Sequence, residues 1–135
     1  MIIFQKINSL KELDISNYEF SYWNLLEEND YKDIYNCYKN NNLIGTIHYI
    51  IVDKCLTINM IEVIDKNKGY GKLIISQLFN NFSIDIIDGQ AISEAIPFWE
   101  SVGADFDWKD IEEREEALDS SSVFYFTIFC TKNSL

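Results

Sequence analysis

Apolar and polar positions follow two different periods along this chain, and each switch of period marks an element. Met1 to Ile7 is short, apolar and rich in β-formers, which predicts a first strand. Ser9 with Glu12 three residues on is a capping box, so a short helix through Leu13 is expected. Tyr18, Phe20, Tyr22, Trp23, Leu25 and Leu26 form a dense aromatic segment that predicts a helix running toward Asn29. Tyr31 to Lys39 alternates loosely, Asn40-Asn41-Asn42 turns, and Leu43 to Val52 resumes with β-branched residues. Asp53-Lys54 turns again and Cys55 to Ile64 returns, giving an antiparallel three-strand meander. The period then lengthens, with Leu73, Ile74, Gln77 and Leu78 at helical spacing and Lys72 and Ser76 outside the stripe. Asn80-Asn81 ends this helix, Ser83 to Ile87 predicts a short strand, and Asp88-Gly89-Gln90 predicts a turn. Ser93 can cap a helix that carries Pro97 in its first turn and stops at Gly103. Lys109 to Leu118 predicts a largely solvated helix, with Trp108, Ile111 and Leu118 as the apolar anchors of its region, and Ser122 to Thr131 a last strand. No repeat or low-complexity linker interrupts the chain, so residues 1–135 are read as a single domain.

Between the third meander strand and the helix lies Asp65-Lys66-Asn67-Lys68-Gly69-Tyr70-Gly71, a stretch too polar and glycine-rich for a core. Gly69 and Gly71 let the backbone bend and approach a ligand, while the helix that follows turns its unpaired N–H groups and positive dipole end into the loop. Lys66, Lys68 and Lys72 crowd the same turn in a chain of net charge −11. A phosphate site and a plain turn with solvated lysines are both compatible with these residues. Walker loops need four residues between their glycines and then Gly-Lys-Ser/Thr, and the dinucleotide fingerprint needs a third glycine three residues after the second, where this chain has Ile74.

Composition narrows the classes. The chain has 22 carboxylates against 11 basic side chains, which opposes a nucleic-acid partner and suits a cationic one. No apolar run approaches the roughly 20 residues of a membrane span, and Met1 to Lys6 is too short and too soon polar for a signal peptide, so the expected address is cytoplasmic. Cys37, Cys55 and Cys130 are odd in number, widely spaced and without a Cys-x-x-Cys pair, which predicts reduced, buried thiols and no metal site. His48, the sole histidine, falls in the middle meander strand and is a candidate base beside its more ordinary reading as a structural residue.

A basic residue, two spacers, glycine, one spacer and glycine, as in Lys66, Gly69 and Gly71, resembles the pyrophosphate loop of the GNAT superfamily of acetyl-CoA-dependent N-acetyltransferases, where Arg or Gln usually stands at Lys66. Ala95-Ile96-Pro97-Phe98-Trp99-Glu100-Ser101-Val102-Gly103-Ala104 is similar to the superfamily's last motif, in the right order after the loop. The resemblance implies an α/β (α+β) fold, a single GNAT-like domain with a mixed, mostly antiparallel central sheet flanked by helices. It implies acetyl-CoA as acetyl donor and direct attack by a primary amine of a small molecule or a basic peptide side chain. No nucleic acid or membrane partner is expected, and a homodimer is allowed. By position, main-chain groups of Ile61 and Val63 would meet the pantetheine arm and acetyl oxygen, and the amides from Asn67 through Lys68, Gly69, Tyr70 and Gly71 to Lys72 would hold the pyrophosphate, with Lys66 beside them. The segment with Tyr22 and Trp23 would close over the acceptor, as packing or as pocket wall, and Trp99 would line the same pocket. Glu62, beside Ile61, and Asp88, expected just past the end of its strand, are the candidate general bases, each also readable as an ordinary acid.

Two departures weaken the chemistry. Trp99 stands where relatives carry a tyrosine that protonates the leaving thiolate, so a hydroxyl of Tyr125, Tyr70 or Ser93, or a water, would have to serve. Ile92 stands where an asparagine is expected. The alternative is a non-catalytic module with the same fold that binds acyl-CoA, or one that binds a partner through its acidic helix.

Overall fold

Paired asparagines shape the first hairpin. Asn40 and Asn41 both take left-handed backbone angles, with φ of 50° and 68°, and asparagine is the non-glycine residue that accepts this most readily. The computed structural model describes residues 1–130 and divides them into two compact units, Met1–Ile50 with Asn59–Phe82, and Ile51–Ile58 with the chain from Ser83 onward.

In the first unit β1 (Ile2–Lys6) runs antiparallel to β2 (Ile34–Lys39), with Phe4 opposite Cys37. The hairpin turn carries β2 into β3 (Asn42–Val52), with a register shift at Cys37/Tyr38. A second two-residue turn, with Asp53 at φ 55°, leads into β4 (Cys55–Val63), so the three-strand meander expected from alternation is present. Helix α1 spans Tyr70–Asn81 and buries Ile74, Ile75 and Leu78. A second cluster gathers Ile7, Leu13, Trp23 and Ile34, with Tyr18, Phe20, Tyr22 and Met60 against it.

The chain from Leu10 to Asp33 departs from expectation. The capping box holds, with the Glu12 carboxylate accepting the Ser9 N–H at 3.0 Å, but it starts only a 3₁₀ turn, Leu10–Glu12. The helix expected from Tyr18 toward Asn29 is absent, replaced by short 3₁₀ pieces at Ile15–Asn17, Ser21–Asn24 and Glu28–Asp33. The physical reason lies in the main chain. Tyr18 and Phe20 are extended, with ψ of 143° and 132°, so no helix can run through them, and the Glu19 and Phe20 N–H groups go to a side chain on β4.

In the second unit the start of β4, Cys55–Ile58, pairs in parallel with Ile86–Gly89 of β5 (Ile86–Ile92), and β6 (Val123–Phe129) runs antiparallel along β5. The expected strand Ser83–Ile87 and turn Asp88–Gln90 are therefore corrected, because the three turn candidates lie inside β5. Gly89 is there for proximity: a Cβ on it would stand 3.0 Å from both the Ile58 carbonyl oxygen and the Phe126 ring. A 3₁₀ turn at Ser93–Ala95 opens into α2 (Ile96–Ser101), with Pro97 in its first turn, and Gly103 beyond it takes φ 94°. Helix α3 (Ile111–Leu118) is capped by Asp110, which accepts the Glu113 N–H at 2.9 Å. Ile111 is no anchor, being 73% exposed, and Ala117 is the buried residue of that helix. The Glu100 carboxylate ties α2 to α3 through a bidentate pair with Arg114.

The hydrogen-bonded strand order is β1-β2-β3-β4-β5-β6, a mixed and mostly antiparallel sheet as expected. The last predicted residue of the final strand, Thr131, lies outside the described residues. Among them no helix is long and apolar enough to cross a membrane. Cys37 is buried while Cys55 and Cys130 are half-buried, all three as free thiols.

Candidate functional site: a glycine loop, a tethered arm and two unlike carboxylates

The loop after β4 is built from two left-handed residues, Asn67 at φ 72° and Gly69 at φ 75°. Alternating hands of this kind turn successive N–H groups toward one side of a loop and make an anion-binding concavity. At Gly69 the left-handed angle disfavours any side chain, yet a Cβ there would meet nothing within 4 Å, so the space above the loop is open. Leu73 is the first residue of α1 whose N–H is taken up by the helix, by the Gly69 carbonyl at 3.1 Å, and no side chain caps the helix. The N–H groups of Tyr70, Gly71 and Lys72 are thus left for a ligand or water. A pyrophosphate fits these features: convergent donors, a positive helix end, open space and no acidic residue in the first turn.

The lysines are less free than their spacing suggests. Lys66 Nζ donates to Glu19 at 2.8 Å and lies 5.5 Å from the Phe20 ring centroid, while Lys68 pairs with Asp65 at 3.1 Å. Lys72 is exposed and makes no ion pair among the described residues. Lys39, which no motif singled out, lies over the Tyr70 ring at 5.7 Å. Ile61 and Val63 are half-buried on β4. The parallel ladder ends at Ile58, and Asn59–Val63 carries main-chain donors and acceptors on its edge away from β3 with no strand paired to them among the described residues. The nine residues expected around the cofactor, Ile61, Val63 and Lys66 to Lys72, thus lie along one strand end, its loop and the first turn of α1.

Glu62 is 3% exposed and its carboxylate is fully engaged. Oε2 accepts the Glu19 N–H at 2.6 Å, and Oε1 accepts the Phe20 N–H at 3.2 Å and the Trp23 indole N–H at 2.8 Å. These donors tie the aromatic segment to β4. Tyr18 ties the segment to β3 as well, donating its hydroxyl to Thr46, which donates in turn to Asn36 on β2 at 2.8 Å. Trp23 is 2% exposed, so its ring is core, whereas Tyr22 is half-buried with its hydroxyl 2.7 Å from His48 Nδ1. Burial holds the His48 imidazole below its ordinary pKa, with Asp33 and Asp30 partly opposing that shift.

The second unit holds the other carboxylate. Asp88 sits within β5, not past its end, with Thr57 and Thr127 as its cross-strand neighbours. It accepts the Thr57 hydroxyl at 2.6 Å and the Tyr125 hydroxyl at 2.6 Å. That hydrogen bond, with lesser contributions from burial and the Asp88 charge, pushes the Tyr125 phenol up to about 12. Trp99 is 5% exposed and stacks on Phe126 at 4.3 Å between centroids, so the structure makes it part of the core of its unit. Ser93 is committed, donating to the carbonyls of Ala117 and Ser120. Glu19 and Thr57 carried no motif signal. Their partners are 43 and 31 residues away in sequence, beyond the reach of any local pattern.

Neither a protein-family model nor any curated protein matches the sequence. Solved structures do match in fold. A chimeric spermidine N-acetyltransferase SpeG, from Vibrio cholerae and hSSAT, superposes with a TM-score of 0.63 at 16% identity over 97% of this chain and 96% of its own. The PaiA N-acetyltransferase of Thermoplasma acidophilum, solved in complex with coenzyme A, gives 0.60 at 16% identity over 96% and 99%. Tetrahymena Gcn5 gives 0.55 at 15% identity over 71% of this chain, which spans 66% of the Gcn5 chain and, in another match, 35% of the N-acetylglutamate synthase of Neisseria gonorrhoeae. The chain therefore has the GNAT acetyltransferase fold that its two motifs resembled.

Proposed function

We propose that the protein is an acetyl-CoA-dependent N-acetyltransferase acting on a primary amine, of a small molecule or of a basic peptide side chain. The observation that carries this reading is the loop from Asp65 to Gly69, with Asn67 and Gly69 left-handed, ahead of an uncapped α1. Its amides and Lys66 would hold the pyrophosphate, and the main chain of Ile61 and Val63 would hold the pantetheine arm. When bound, acetyl-CoA supplies an activated acetyl group; the chain's task is to place it against the amine, since alignment alone accounts for a large part of such a rate. The net charge of −11 suits a cationic acceptor. For proton movement the reading favours Asp88 with Tyr125, whose bond carries an O–H proton, over Glu62, whose oxygens are occupied by N–H donors. A single domain and a cytoplasmic address go with this reading.

The engaged Glu62 and the buried Trp99 also favour a second reading, a module that binds acyl-CoA without turnover. Thermal unfolding tests the shared premise. Acetyl-CoA at about a hundred times its Kd should add roughly 2.7 kcal/mol of stability. The Gly71→Asp protein should lose that gain, because its new carboxylate faces the phosphates, while the helix itself tolerates an acid in its first turn. A wild-type protein whose melting temperature ignores acetyl-CoA and CoA up to millimolar concentrations refutes both readings. Thiol release with a panel of polyamines, amino acids and lysine peptides then separates them, an enzyme releasing CoA and a binding module not.

A further inference from the structure

Lys66 already has an anion. Glu19 reaches it from the aromatic segment at 2.8 Å, and the two side chains remain 50% and 78% exposed. Phe20 lies beneath the same ammonium, and the main-chain N–H groups of both residues are held by Glu62, so the backbone that carries the Glu19 carboxylate is tethered within reach of the loop. Lys66 is also the basic residue of the phosphate motif. A phosphate oxygen arriving at the same ammonium meets the Glu19 carboxylate as a like charge, so the two anions compete for Lys66.

We propose that Glu19 is a built-in competitor for the anion site: it occupies Lys66 in the free protein, and a phosphate-bearing ligand must displace it to bind. The inference rests on the reading of the loop as a pyrophosphate site and adds its regulation. The contact is solvent-exposed, and exposed pairs of this type are weak, so the competition changes affinity by about twofold to fivefold. It also fades as salt screens both charges.

Calorimetric titration with CoA of the wild type, Glu19→Gln, Lys66→Met and the double variant tests it. Glu19→Gln should tighten CoA binding about twofold to fivefold at low ionic strength, with the gain shrinking at high salt. Lys66→Met should weaken binding, and adding Glu19→Gln to it should then change nothing. An unchanged or weaker affinity in Glu19→Gln overturns the proposal while leaving the phosphate loop standing. An undiminished gain in the Lys66→Met background also overturns it, since the effect would then be a general field and not competition. No CoA binding by the wild type overturns the loop reading and the proposal together.

Discussion

Glu62 and Asp88 were equivalent candidates in the sequence, two acids on or near the inner strands of one sheet, and their surroundings make them different chemical objects. Glu62 faces three N–H donors, two from the main chain and one from an indole, none of which exchanges a proton in catalysis. Asp88 faces two hydroxyls, one of them on a phenol that is 57% exposed. A carboxylate saturated by fixed N–H groups holds a structure in place, whereas one bonded to O–H groups can exchange protons with them. Residue type and strand position do not separate these roles. The identity of the donors does.

The largest expected effect follows from the fixed donors. Glu62→Ala strands the Glu19, Phe20 and Trp23 N–H groups together, and each unsatisfied group costs about 1 to 3 kcal/mol. Partial access of water to the two main-chain amides lowers the total, so urea unfolding should show a loss of about 3 to 5 kcal/mol. Glu62→Gln keeps one acceptor oxygen and should lose about 2 kcal/mol. Asp88→Asn should cost under about 1 kcal/mol, because Tyr125 can turn to water. Equal losses at the two sites would erase the distinction.

Trp99→Tyr probes a residue that the family pattern makes catalytic and the packing makes structural. Its ring stacks on Phe126 in the second unit. A tyrosine leaves part of that volume empty and brings a hydroxyl that needs a partner, so stability should fall by about 2 kcal/mol. CoA affinity should stay nearly unchanged, and turnover, if present, should not fall. A protein that binds CoA normally and loses most of its activity would give the indole a chemical role of its own.

What the sequence revealed was local, and what it hid was not. The meander, the Asn40-Asn41 turn, α1 and the stop at Gly103 each rest on neighbours within a few residues, so alternation, helical spacing and turn chemistry exposed them. The glycine-containing loop between β4 and α1 was legible as a loop for the same reason. Gly89 misled because glycine marks both turns and close approaches, and only the Ile58 carbonyl and the Phe126 ring tell which applies. The aromatic segment misled because Tyr18 and Phe20 are held extended, with the neighbouring amides bonded to Glu62 on a strand that follows by some 40 residues, which no local period reports. The lysine cluster was legible as charge, but its neutralisation by Glu19 and Asp65 was visible only in part, since Asp65 is three residues from Lys68 and Glu19 is 47 from Lys66.

The smallest expected effect isolates the Asp88 side of the contrast. Tyr125 donates to Asp88, so the folded state favours the neutral phenol and lifts its pKa from 10 to about 12. The sign follows from linkage: the unfolded chain releases this proton near pH 10 and the folded chain holds it to about 12, so the contribution to stability is complete below about pH 10 and is lost as pH rises through about 12. Tyr18 and Tyr49 are pushed higher still by burial, so the reading has to come from a difference between proteins and not from total absorbance. Subtracting the tyrosinate absorbance of Tyr125→Phe from that of the wild type should leave one group titrating near pH 12, and the same subtraction made in an Asp88→Asn background should bring it back toward 10. A Tyr125 that ionises near 10 in the wild type would mean that the hydroxyl is not held by Asp88 in solution. Asp88 would then keep only the Thr57 hydroxyl, and its claim to proton transfer through Tyr125 would fall.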